Sequence, residues 1–107
     1  VYLTEDNLIA DQANYLNFDE NSYFYGMGNP IIDYSHEDVL RYSFTDILGD
    51  EILNSEALSE NVIYFNLDMS QFDFNAENTN IIAIIVNSDN LALNSQSAGV
   101  GEFQDFN

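Results

Sequence analysis

The stretch "IIAIIVNSDNLALNSQS" (residues 81–97) decides the fold class. Its first six residues are apolar on both faces of an extended chain and too few for an ordinary helix, so 81–86 is predicted to be a central strand covered on both sides. "NSDN" (87–90) is a turn, and "LALNSQS" (91–97) returns beside the first strand. Ile84 is expected in the interior of the most buried strand.

Working outward, "NVIYFNLDMS" (61–70) alternates, with Ile63, Phe65, Leu67 and Met69 inward and Tyr64, Asn66 and Asp68 outward. "HEDVLRYSFT" (36–45) alternates too, with Leu40, Tyr42 and Phe44 on one face and Val39, Arg41, Ser43 and Thr45 on the other. Gly49 marks a turn or bulge in "DILGDEI", and "NSEALSE" (54–60) reads as a helical turn or a loop. Val1 and Leu3 alternate with Tyr2 and Thr4, "EDN" (5–7) supplies turn residues, and "LIADQANY" resumes, which predicts a hairpin. Residues 14–35 keep no period and form a long aromatic connection holding Pro30. With no long helical stripe and no repeat, five to seven short strands predict an all-β fold, an antiparallel β-sandwich of the immunoglobulin or jelly-roll kind.

Composition bounds the rest. The 107 residues fit a single domain able to bury roughly 65% of its unfolded surface. Seven Tyr, eight Phe and 46% hydrophobic residues are too apolar for a disordered acidic tail. A formal charge of −18 with one Lys or Arg excludes phosphate-binding surfaces, hence nucleic acid, and opposes anionic membranes. Self-repulsion makes the fold salt-sensitive. Without cysteine there is no disulfide, thiolate zinc site or Cys nucleophile. No run reaches the ~18 apolar residues of a membrane-spanning helix. Val1 opens directly on a strand pattern with no signal peptide, so residues 1–107 are expected to be one domain cut from a longer polypeptide.

Little in the sequence carries catalysis. There is no Gly-x-Ser-x-Gly elbow to serve the single histidine, His36, and among 19 carboxylates no pair stands out for glycoside chemistry. No enzymatic activity is expected. "NFDEN" (17–21) and "DFNAEN" (73–78) begin like calcium loops but lack the Gly and Glu of an EF-hand. A calcium site from separate loops stays open, and no other cofactor is expected. The connection carries Tyr15, Phe18, Tyr23, Phe24, Tyr25 and Tyr34. These rings either fold over the end of the core, Phe18 and Phe24 foremost, or stand exposed to stack on a sugar or a protein. In "DYSHEDVLRYS" (33–43), His36, Asp38 and Leu40 share one face. His36 caps the strand entrance, and Arg41, alone amid carboxylates, pairs with at least one of them.

Three segments resemble a known family. "YSHEDVLRYSFTDILGDEI" is similar to the H-x-H-V-L-R … G-x-x-I signature of the Omp28-related outer-membrane proteins of Bacteroidetes-type bacteria. "VYLTEDNLIADQ" resembles that family's acidic strand pair, and "IIAIIVNSDNLALNSQS" its closing hairpin. His36, Val39, Leu40 and Arg41 fall on the pattern, while Asp38 stands where a second histidine is usual. The resemblance implies further strands before Val1 and a cell-envelope (outer-membrane-associated) or secreted location. It also implies a non-catalytic binding or structural module, in adhesion or surface assembly, with a protein or glycan at the cell surface as partner. Family members resemble proteins with an earlier thioredoxin-like Cys-x-x-Cys region, which lies outside this sequence, so no redox activity is carried over. The candidate contact residues are His36, Asp38, Arg41, Tyr23 and Tyr25. The alternative is a carbohydrate-binding module using the aromatic loop, residues 15–34.

Overall fold

A computed structural model of the chain describes residues 1–105. Six strands, β1 (Tyr2–Glu5), β2 (Leu8–Gln12), β3 (Ile31–His36), β4 (Val39–Ser43), β5 (Thr79–Val86) and β6 (Ala92–Gly99), form two antiparallel sheets. The larger sheet has the order β4-β1-β5-β6, and the smaller pairs β2 with β3. Among the described residues the helical pieces are two single 3-10 turns, Met69–Gln71 and Ala76–Asn78, capped by the side chains of Asp68 and Asn75. The fold is all-β and antiparallel, an arrangement compatible with a sandwich.

The acidic "EDN" is not a hairpin turn, because β1 and β2 do not pair with each other. Glu5 faces Val39 and Leu8 faces His36 in one unbroken register. β1–β2 and β3–β4 are therefore successive lengths of one long antiparallel arm, bent where Asp6 and Asn7 meet Glu37 and Asp38. At the bend, carboxylates replace the main-chain ladder. The Asp38 N–H donates to Asp6 Oδ1 (2.8 Å), and the Asn7 N–H to Glu37 Oε2 (3.1 Å). Asn7 and Asp38 both take left-handed backbone, φ 58 and 53, which Asn and Asp tolerate best after glycine. This also turns residues 31–36 into a strand, which the aperiodic "IIDYSH" did not announce.

β4 carries a bulge: Leu3 pairs with Tyr42 and Thr4 with Leu40, leaving Arg41 as the extra residue. The simple alternation expected for 36–45 breaks there, and Leu40 is half exposed while Tyr42 and Phe44 pack. Residues 61–68 are a further correction. They are extended but join no ladder, and Ile63 is exposed. Phe65, Leu67 and Met69 nevertheless line one open cleft of about 430 Å³ with Leu3 and Ile81. The segment is a strap laid across one face of the sheet, which satisfies its alternation without a pairing partner. Ring contacts carry the strap onward: Phe44 to Phe65 (5.6 Å), Tyr42 to Phe72 (5.8 Å), and Phe72 stacked on Phe74 (4.8 Å). Residues 54–60 are loop, and the Gly49 N–H closes a turn onto the Asp46 carbonyl with φ +98.

The strand predicted to be doubly covered is not. β1 flanks β5 from Thr79 only as far as Ile82. Beyond it β5 keeps only β6, and Ile84 is 41% exposed, Ile85 49% and Val86 39%. The buried centre lies instead at β1, where Leu3 is fully buried and Thr4 and Glu5 nearly so.

Candidate functional site

The candidate residues separate into two places. Tyr23 and Tyr25 lie in the loop at the tip of the arm, between Gln12 and Ile31, whereas His36, Asp38 and Arg41 lie at or just beyond the bend.

The tip loop is built on asparagine. Asn14 is 5% exposed, and its side-chain N–H groups donate to the carbonyls of Phe24 (2.9 Å) and Gly28 (2.8 Å). Its Oδ1 accepts the Leu16 N–H, and its own N–H donates to Asn29 Oδ1. Asn17 Oδ1 accepts the Gly28 N–H at 2.7 Å, and its carbonyl accepts the Gly26 N–H. Gly26 and Gly28 take positive φ there, where a side chain would be strained. These bonds fold the loop on itself without burying its rings. Tyr15 is 90% exposed, Phe18 88%, Tyr23 82% and Tyr25 50%. The expectation that the rings cover the core is overturned, most plainly at Phe18. Phe24 alone of the two named rings is partly covered, edge-on to Tyr23 at 5.3 Å. A loop with satisfied polar groups has no need of core contact, so its rings stay outward.

At the bend, Arg41 Nη1 bonds Glu5 Oε2 at 2.5 Å, and its guanidinium lies over the Phe74 ring, 4.9 Å from the centroid. The Glu5 side chain is 3% exposed and the Arg41 side chain 26%. Glu5 Oε1 also accepts the Asn75 N–H at 2.9 Å. The expected carboxylate partner of Arg41 is thus Glu5, and the pair pins the strap to β1 and β4. Sequence reading passed over Glu5, although its alternation with Leu3 put it on the same inward face. His36 pairs with Leu8 and meets Tyr34 edge-on at 5.0 Å, and no bond joins it to Asp38. Asp38 is exposed and acts through its backbone. Asp6 ties the bend to β5, its Oδ2 accepting from Asn80 Nδ2 at 3.1 Å.

Among the described residues, no three His, Cys, Asp or Glu side chains come together where a metal ion could be held. Asp19 and Asn75 instead cap their own turns, accepting the N–H groups of Asn21 and Glu77. No helix of the described residues is long and apolar enough to cross a membrane.

No curated protein and no solved structure matches the chain. A protein-family model does: "Outer membrane protein Omp28" matches residues 1–104, which takes in the arm, the strap and the β5–β6 hairpin together. A match over nearly the whole length places this protein at the cell envelope, associated with the outer membrane, and the chain belongs to the Omp28 family.

Proposed function

We propose that this chain is a non-catalytic binding module of an outer-membrane protein, and that the tip loop makes the contact. One observation carries the reading: Tyr15, Phe18, Tyr23 and Tyr25 are exposed on a backbone fixed by Asn14 and Asn17. Rings held outward in advance lose little freedom on binding, and aromatic side chains are the commonest anchors of protein contacts. The loop closes the β2–β3 end of the arm, and the body is elongated, 54 × 35 × 25 Å. Adhesion or surface assembly is the role such a contact serves. The second reading, sugar stacking on the same rings, rests on the exposure of Tyr23 and Tyr25 beside Asp19 and Asn21.

Binding of the chain to isolated cell envelopes, with a glycan array run in parallel, tests both. The double variant Tyr23→Ala, Tyr25→Ala should weaken envelope binding at least about tenfold, the loss of one hot-spot ring or more, with its melting temperature unchanged. Array binding abolished by the same variant would move the assignment to carbohydrate. Wild-type binding by the variant would remove the loop from the function.

A further inference from the structure

The two edges of the four-stranded sheet are unlike. β4 is short, bulged at Arg41, and carries that charge, the usual means by which proteins blunt an edge. β6 is eight residues long, "ALNSQSAG", and has neither charge nor proline. Residues 79–101 carry one charged side chain, Asp89, in a chain of 19 carboxylates. On the same hairpin Ile84, Ile85, Leu91 and Leu93 are exposed. The Ser95 N–H turns to Asn94 Oδ1 (2.8 Å) and the Gly99 N–H to Glu102 Oε2 (3.1 Å), so these two outward donors are held by side chains.

We propose that the β6 edge takes the β6 edge of a second copy of this chain, antiparallel about a two-fold axis near Ser95 and Gln96, giving one continuous eight-stranded sheet. Charge selects this occupant. Two bodies of formal charge −18 repel wherever carboxylates face each other. Residues 92–98 carry none, and the Glu102 carboxylate sits at the Gly99 end of the edge, away from the axis. A basic partner would be drawn to the carboxylate-rich remainder and gains nothing here. Asn94, Ser95, Gln96 and Ser97 each combine donors with acceptors, so the strip is complementary to itself. The Asn94 and Glu102 side chains can be displaced by main-chain partners, as edge pairing requires.

Sedimentation velocity on the full chain over a range of salt tests this. A monomer–dimer equilibrium is expected, strengthening roughly tenfold between about 0.05 and 0.5 M salt as repulsion is screened. Ser97→Pro, which blocks an outward position, should abolish the dimer at unchanged melting temperature. Ser97→Asp should weaken it in a way that salt restores, and it stands in if the proline variant does not fold. Because the chain has no cysteine, Ser95→Cys should give a disulfide-linked dimer under mild oxidation while Ser59→Cys does not. Monomer at every concentration and salt overturns the proposal, as does equal cross-linking by both cysteine variants. Protection of β6 amides from exchange only when cell envelope is added also overturns it, in favour of a different strand donor.

Discussion

β1 and β5 lie side by side in one sheet, yet their burial runs opposite to their hydropathy. β1 is four residues, "YLTE", with a carboxylate and a hydroxyl, and Leu3, Thr4 and Glu5 are its buried members. β5 is eight residues, all apolar from Ile81 on, and its last four are exposed. Position explains the contrast. β1 has a strand on each side and the strap over one face, while the far half of β5 has one neighbour. Glu5 is buried with its oxygens satisfied by Arg41 and the Asn75 N–H, whereas the neighbouring Thr4 hydroxyl is buried without a hydrogen-bond partner among the described residues.

The sharpest way to break this comparison is to remove the partner. Arg41→Met keeps much of the packing on Phe74 but leaves Glu5 buried and uncompensated. Urea unfolding in moderate salt should show a loss of about 3–5 kcal/mol. A variant as stable as wild type would mean that Glu5 is effectively solvated. Next comes a matched pair of truncations. Leu3→Ala should cost about 2–5 kcal/mol and Ile84→Ala under about 1 kcal/mol, since only the first empties a packed site. Equal losses would mean that the β5–β6 hairpin is covered in solution. In the tip loop, Asn14→Ala strips the bonds to Phe24 and Gly28 and should cost about 1–3 kcal/mol, with amide exchange of residues 16–28 rising before that of β1.

The smallest effect is electrostatic. The Ser70 hydroxyl, then the Ser70 N–H, donate to the Asp68 carboxylate and hold its pKa below the ordinary 3.8. A lowered folded-state pKa favours the folded state above the unfolded value. That contribution is complete above the ordinary aspartate range and is lost as pH falls through the lowered midpoint. Carbon-detected NMR titration should find Asp68 below 3.8, moving toward it in Ser70→Ala.

Most of the strands were legible in the sequence and the sheet they form was not. "HEDVLRYS" and "IIAIIV … LALNSQS" announce β4, β5 and β6 because alternation and turn residues are local signals. That β1 would sit between β4 and β5 is a pairing across the chain, with no local signature. "NVIYFNLDMS" shows the limit of periodicity, which reports that one side meets an apolar surface but not that the backbone finds a ladder. The aromatic loop was visible as a cluster of rings. Their outward direction depended on Asn14 and Asn17, whose bonds no pattern of types reveals. Arg41 was legible because it is alone, and Glu5 was lost among 19 acids.

The position of β1 has a consequence for the order of events when the chain is made. Glu5 draws on Arg41, 36 residues away, and on Asn75, 70 residues away. Both partners are synthesised after it. Of the six strands, the one that ends most enclosed is made before the other five, and it can pair with β4 well before β5 exists to close its other side. Such non-local closure slows folding, because loop entropy is lost before the contacts that offset it form. Until Thr79–Ile82 arrives, the arm waits with the Glu5 side of β1 open to water and to other chains.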